Sequence, residues 1–328
     1  MSVCVEDGVC LMFPGLSPGS QVHVERFLTG YEPARRLVSI ADEVMGESLL
    51  SRCRRDSDLC LADLETKDGL VDWGPHRVAY LLSMLALAEG YLNGQGADAP
   101  SLVSGISIGG CAAAVQAKSI ELDDMIDMVL RTSNVECQFF RESIGRFGCL
   151  SIGRLCEQEV VDLFDDVLER TGGWLSLSAS QEGVVVVVSG EIAAVEALNR
   201  RVCEIGGIGF FHVTNMAVHC EEMKELARRM VECVYPKYRF VAPSLPMMSD
   251  AGVQLESGEQ VRRDFEESWV KCFRARVLYD AMYEHGVRRF TLPSVMGAYS
   301  RVFDDRFIVR VVRPRDFLKL SGCADRCG

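Results

Sequence analysis

The sequence predicts an α/β protein in which a small α+β unit interrupts a larger one. Two observations carry this reading. A short apolar run at 102–104 leads into Gly105-Ile106-Ser107-Ile108-Gly109 and then into the small-residue stretch Gly110-Cys111-Ala112-Ala113-Ala114-Val115, a strand–turn–helix order. Further on, residues 147–213 read strand, helix, strand, strand, helix, strand, the split βαβ order of ferredoxin-like units, and helical patterning resumes after 214. The expected fold is therefore an α/β-hydrolase-like large domain with a parallel sheet and nucleophile elbow, residues 1–140 and 207–328, plus an inserted ferredoxin-like small α+β domain, residues 141–206.

The elements follow in order. Val9-Cys10-Leu11-Met12-Phe13 is a buried-strand pattern stopped by Pro14-Gly15, and a Ser/Pro/Gly-rich loop runs to Ser20. Helices are expected at 24–29, 33–45 and 77–90, the last carrying Val78, Leu81, Leu82, Leu85 and Leu87 at helical spacing. A strand at 102–105 enters the elbow, and Glu121, Asp123 and Asp124 open a helix over 122–140. Within the small unit the strands are 147–153, 174–179, 184–189 and 209–213, and the helices 157–171 and 192–205. The large unit then continues with a helix at 221–235, mostly helical 262–285, and strands at 287–292 and 307–312.

Composition narrows the class. The chain has 328 residues, 48% hydrophobic and 25% charged, an ordinary balance for a globular enzyme. Its net charge of −12 argues against general nucleic-acid binding. The 14 cysteines are scattered, with Cys53, Cys60, Cys111, Cys137, Cys203 and Cys233 in apolar segments, which fits reduced core residues of a cytosolic protein. Cys323 and Cys327 have no second Cys or His pair to complete a zinc site. Residues 1–8 lack the pattern of a signal peptide, and no apolar run reaches the ~20 residues of a membrane span. The protein is expected to be cytoplasmic and soluble, with no membrane or nucleic-acid partner and no bound metal, nucleotide or flavin.

Gly-x-Ser-x-Gly between a strand and a helix is the setting of a nucleophile elbow, with the serine exposed above the sheet and the next N–H placed to stabilise an oxyanion. Ser107 then needs a base, normally histidine. Of the five histidines, His285 ends a helix beside Gly286, His76 begins one after Pro75, His23 lies near the N-terminal loop and His212 alternates along a strand. His219 stands where the chain leaves the small unit, in Asn215-Met216-Ala217-Val218-His219-Cys220, and this junction favours it as the base.

In that order, Phe13-Pro14-Gly15, Ser107, the ferredoxin-like insertion and His219-Cys220 resemble the malonyl-CoA:acyl carrier protein transacylase fold family over nearly the whole chain. The resemblance implies a Ser107–His219 dyad, with the Ser268 main-chain carbonyl in Glu266-Glu267-Ser268-Trp269 orienting the imidazole. It also implies an oxyanion hole from the Ile108 and Leu16 backbone N–H groups, Leu16 standing where the family usually has Gln. No cofactor is implied on the enzyme itself, the phosphopantetheine arm being carried by coenzyme A or by an acyl carrier protein.

Three departures bear on the substrate. Ile106 replaces a His of the malonyl enzymes, Gly110 replaces a Glu, and the position of their carboxylate-binding Arg, counted without gaps from Ser107, is Thr132. Arg131 is one residue earlier, ~100° away around a helix. Ile106, Arg131, Thr132, Met216 and Val218 are the expected pocket residues. A free carboxylate needs a cation, so these departures point to a different acyl group. Phe13-Pro14-Gly15, Ala34-Arg35-Arg36-Leu37-Val38, Ala41-Asp42-Glu43 and Trp269-Val270-Lys271-Cys272-Phe273-Arg274 are similar to a subgroup of discrete polyketide-synthase acyltransferases, which act on carrier-bound acyl or aminoacyl units.

Carrier proteins and carrier domains are acidic, so a basic docking rim is expected from Arg154, Arg200, Arg201, Lys271, Arg274 and Arg276. The expected function is a discrete acyltransferase of polyketide or nonribosomal-peptide-type, antibiotic-type biosynthesis, working by a ping-pong Ser acyl-enzyme. The alternatives are a malonyl-CoA:acyl carrier protein transacylase, an acyl-thioester hydrolase that clears stalled carriers, and a degenerate protein that only docks carriers.

Overall fold

A computed structural model describes residues 7–15, 21–57, 72–94, 96–143, 147–213, 217–295 and 304–318. Leu16 and its loop, Cys60, Met216, Cys323 and Cys327 lie outside the described residues, as do the side chains of His23 and His212.

The first part of the chain runs β1 (Gly8–Phe13), α1 (Gln21–Gly30), α2 (Glu32–Met45), α3 (Leu49–Ser57), α4 (Gly74–Leu92), β2 (Leu102–Gly105), α5 (Ile108–Gln116) and α6 (Leu122–Arg141). The small unit follows as β3 (Phe147–Gly153), α7 (Glu157–Val161), α8 (Phe164–Thr171), β4 (Leu175–Gln181), β5 (Val185–Glu191), α9 (Ile192–Glu204) and β6 (Ile208–Val213). The chain then returns through α10 (Lys224–Cys233), β7 (Met247–Met248), β8 (Gln254–Leu255), α11 (Gly258–Ser268), β9 (Phe273–Arg274), α12 (Ala275–Glu284), β10 (Val287–Pro293), β11 (Ile308–Val312) and α13 (Arg315–Leu318).

Two sheets result. The larger has the order β11-β10-β1-β2-β7-β8, parallel throughout except at the β7–β8 pair. All six residues of β1 are buried, as a parallel strand covered on both faces requires. Leu11 and Phe13 pack into the core on one face and Cys10 and Met12 into the core on the other. The smaller sheet has the order β6-β3-β5-β4-β9, its first four strands antiparallel, with Val195, Leu198 and Val202 of α9 and Val167 of α8 in the core beneath it.

The small sheet is stitched to the large unit at two places. Its edge strand β6 lies beyond residue 206, and β9 comes from much later in the chain to pair in parallel with β4 through Ala179 and Ser180. Local structure departs from the sequence pattern in several places. The helix expected over 157–171 is α7 and α8, separated where the Leu163 N–H bonds the Val160 carbonyl at 3.2 Å, an i→i−3 contact that tightens the end of α7. The 262–285 segment is broken by β9, which leaves the helical path to join a sheet. The charged sequence of α3 hides a helix from apolar periodicity, and β7 and β8, two residues each, are too short to show any. Helix α4 is buried nearly all round rather than on one face, because α1, α2, α5 and α6 all pack against it.

The crossing of β2 and α5 depends on glycine. A Cβ on Gly105 would lie 2.1 Å from the Gly109 carbonyl atoms, and one on Gly109 would lie 2.1 Å from the Phe13 carbonyl oxygen. Both obstacles are backbone, so no rotamer relieves them. Gly109→Ala is expected to destabilise the fold by about 3 kcal/mol, at the severe end of overpacking, and to displace the start of α5. Urea denaturation checks this, and an unchanged midpoint would count against the close approach.

Candidate active site

The strand β2 ends at Gly105 beside Phe13 of β1, so the turn that follows opens at the carboxyl ends of two neighbouring parallel strands. The Ile106 N–H is held by the Phe13 carbonyl at 3.0 Å, and the Gly109 N–H returns to the Ile106 carbonyl at 2.8 Å. Ser107 between them sits at φ 53°, ψ −122°. Such a conformation is costly for a residue with a Cβ and persists only where the surroundings enforce it. Its effect is to lift the Ser107 side chain off the sheet at the start of α5. The N–H of Ile108, at the first position of α5, has no acceptor within the helix and is free for an oxyanion.

His219 reaches this hydroxyl from the other side of the small unit. Its Nε2 lies 3.0 Å from Ser107 Oγ. The segment carrying it is fixed by β5, where Ser189 Oγ accepts the Val218 N–H at 3.1 Å and contacts Ser178 Oγ at 2.7 Å. His219 itself adopts φ 52°, a second strained backbone within the same pair. On its far side, Nδ1 lies 2.6 Å from the Ser268 carbonyl oxygen. That carbonyl only accepts, so Nδ1 carries the hydrogen and Nε2 presents its lone pair to the serine. Ser268 is the last residue of α11, whose terminal carbonyls lack intrahelical donors and carry the negative end of the helix dipole. Tyr235 pins this helix end, donating to the Phe265 carbonyl at 3.2 Å and accepting from Trp269 Nε1 at 2.7 Å.

Two carboxylates that the sequence pattern does not single out complete the surroundings. Asp250, half-buried after β7, accepts from the Ser107 N–H through Oδ2 at 3.5 Å. Burial raises its carboxyl, opposed by the charge of His219, the Ser107 N–H and Lys271. Asp264 on α11 is held up to about 7 by burial and by the charge of Asp250. Nearby thiols do not compete as nucleophiles. Burial pushes Cys111, one turn beyond Ser107, up to about 12, and pushes Cys220, beside His219, well up.

The remaining expected residues fall as follows. Thr132 is buried and its hydroxyl donates to the Val129 carbonyl at 2.9 Å, within α6. Arg131 lies on the exposed face of α6, 2.7 Å from Asp127, which Tyr238 also engages. The buried cation on this side is Arg77 of α4, whose charge reaches Cys111. Glu136, 3% exposed, already neutralises it in a two-point contact, with one N–O distance of 3.1 Å. Ile106 and Val218 are half-buried beside the dyad residues. Of the six cations expected at a docking rim, four are already paired: Arg201 with Asp166 and Glu204, Lys271 with Glu267, Arg274 with Glu157, and Arg276 with Glu182. Arg154 and Arg200 are exposed and have no acidic partner among the described residues. Also among the described residues, no group of His, Cys, Asp or Glu has the arrangement to hold a metal ion, and no helix is long and apolar enough to cross a membrane.

No family model matches the chain, and no curated protein matches it in sequence. Solved structures do. FabD from Acinetobacter baumannii superposes with a TM-score of 0.75 at 17% identity, over 97% of this chain and 99% of that one. The fold is that of the malonyl-CoA:acyl carrier protein transacylases. The malonyl CoA-acyl carrier protein transacylase of Coxiella burnetii gives a TM-score of 0.73 at 17% identity, over 97% and 98% of the two chains. A type II PKS acyl-carrier protein in complex with its malonyl-transacylase gives 0.76 at 20%, over 96% and 99%. Ser107 and His219 thus face one another at the mouth of a transacylase fold, in an arrangement where an imidazole can take the proton of a hydroxyl.

The raised carboxyl of Asp264 has a consequence for stability. Its folded value near 7 lies above the ~4 of an exposed aspartate, so between these values the folded state binds more protons than the unfolded chain. Stability from this group is present below about 4 and is lost as the pH rises through 7. Asp264→Asn is expected to raise the melting temperature relative to the parent at pH 8, and by only about a third as much at pH 5. A shift of equal size at both pH values would refute the assignment.

Proposed function

We propose that this protein is an acyltransferase that moves an acyl group between acyl carrier protein thioesters through an ester on Ser107. The observation that carries the reading is the relay from Ser107 Oγ to His219 Nε2, 3.0 Å, and from His219 Nδ1 to the Ser268 carbonyl, 2.6 Å. Ser107 Oγ attacks the thioester carbonyl and its proton passes to Nε2. The Ile108 N–H, with the Leu16 N–H proposed beside it, holds the developing oxyanion, and each such donor is typically worth ~100–1,000-fold in rate. Collapse expels the thiol, which takes the proton back, and a second phosphopantetheine thiol reverses the steps. The enzyme needs no cofactor of its own in this scheme.

A carrier-bound donor and an acyl group without a free carboxylate are the finer parts of the reading. Supporting them, Arg131 is turned to solvent and Arg77 is already neutralised by Glu136. The solved complex of a malonyl-transacylase with its acyl-carrier protein supports a carrier as partner. Arg154 and Arg200, the two unpaired cations of the expected rim, are the proposed docking contacts. The place of such an enzyme is polyketide or nonribosomal-peptide-type biosynthesis. The malonyl reading rests on the likeness to malonyl-transferring structures.

Intact-protein mass spectrometry after incubation with malonyl-CoA, acyl-CoAs and acylated carriers tests this. An adduct from acylated carriers, passed on to a second carrier, is expected. Ser107→Ala removes it and His219→Ala slows loading by ~100- to 10,000-fold. Rapid malonylation from coenzyme A would sink the uncarboxylated-acyl reading, and rapid release of the acyl group to water would make the protein a hydrolase.

A further inference from the structure

The charge around Ser107 is the reverse of what a carboxylate-bearing acyl group needs. Three described cations around the site are already committed. Arg77 is paired to Glu136, Arg131 to Asp127, and Lys271 to Glu267. Asp250 points the other way, with Oδ2 3.5 Å from the nitrogen of the nucleophile itself. A carboxylate there is favoured by the N–H it accepts and by the positive end of α5, which begins at Ile108. The charged groups facing it are His219 from the segment after β6, Lys271 from the turn after α11, and Asp264 from α11. Burial raises Asp250, while His219, the Ser107 N–H and Lys271 favour its charged form.

We propose that Asp250 is a specificity-determining residue, whose charge beside Ser107 excludes acyl groups bearing a free carboxylate. The proposal rests on the reading of Ser107 as the acyl-enzyme nucleophile. It assigns the discrimination to repulsion at one position, beyond the lack of a receiving arginine. An anionic acyl group entering beside Ser107 would sit within a few ångströms of this charge in a half-buried site, where the repulsion between like charges is large. Neutral acyl groups are unaffected and cationic ones are attracted.

Three para-substituted benzenesulfonyl fluorides read this field without knowledge of the natural acyl group. They carry a methyl, a carboxylate or an aminoethyl group. In each reaction the Ser107 Oγ–S bond forms, the S–F bond breaks, fluoride leaves and the serine proton passes to His219 Nε2. Labelling rates of Ser107 are measured by mass spectrometry at pH 8 in the parent and in Asp250→Asn, with Asp250→Ser as a second neutral variant should the first not fold. The expected result is about a tenfold or larger gain for the carboxylate probe relative to the methyl probe, with a loss for the aminoethyl probe. A merely structural role would move all three rates by one factor, and that result, or no change at all, overturns the proposal. Labelling of Ser107 with unchanged charge order therefore removes this inference and leaves the acyl-enzyme reading standing. No labelling of Ser107 by any of the three in the parent protein overturns both.

Discussion

The site depends on two residues held at positive φ, Ser107 at 53° and His219 at 52°. Neither is glycine, and each such conformation costs on the order of 1–3 kcal/mol. The two strains are sustained by different parts of the chain. At Ser107 the restraint is local: the carbonyl of Phe13 and the return of the Gly109 N–H to Ile106 close a turn that only glycine at 105 and 109 allows. At His219 it is remote: Ser189, on the middle of β5, grips the Val218 N–H. The relay between the two side chains therefore exists only when the large sheet and the small one are both formed.

The orientation of the imidazole follows a related logic. A carboxylate behind the histidine would stabilise its charged form directly, whereas the Ser268 carbonyl does so through a hydrogen bond and the negative end of α11. Because a carbonyl holds Nδ1, the nearest carboxylate is free to stand elsewhere, and Asp250 stands at the Ser107 N–H. Burial and the charge of Asp250 hold the Asp264 carboxyl near 7. The Ser268 carbonyl thus fixes the tautomer of His219 without a carboxylate at Nδ1, while Asp250 stands on the Ser107 side of the pair.

Features encoded over short stretches were legible in the sequence. The strand–turn–helix around Ser107 is written in consecutive residues, and the strand at 147–153 and the helix at 122–141 match their patterns to within a residue. The small sheet order β6-β3-β5-β4 is the one a split βαβ unit produces. What stayed hidden is set by distant contacts. Asp250 follows a two-residue strand whose only pattern is Met247-Met248, and nothing local marks its carboxylate as a neighbour of residue 107. The pairing of β9 with β4 joins residues almost a hundred positions apart and breaks what otherwise reads as helix. Arg131 shows the converse: its sequence position next to Thr132 invites a pocket role, but one residue of helical rotation delivers it to solvent and to Asp127.

These long-range contacts also define what the small unit does. Its sheet joins the large unit through β9 at one edge, and from the middle of β5 it fixes Val218, the residue before His219. A rigid shift of that sheet by about 1 Å would carry Nε2 from 3.0 Å to beyond hydrogen-bonding reach of Ser107. The core beneath the sheet, Val167, Val195, Leu198 and Val202, is remote from any reacting atom, yet it sets the position of β5 and through Ser189 that of the histidine. Packing in the small unit is in this sense part of the geometry of the relay, and the buried hydroxyls of Ser178 and Ser189, 2.7 Å apart, are the contact through which it is transmitted.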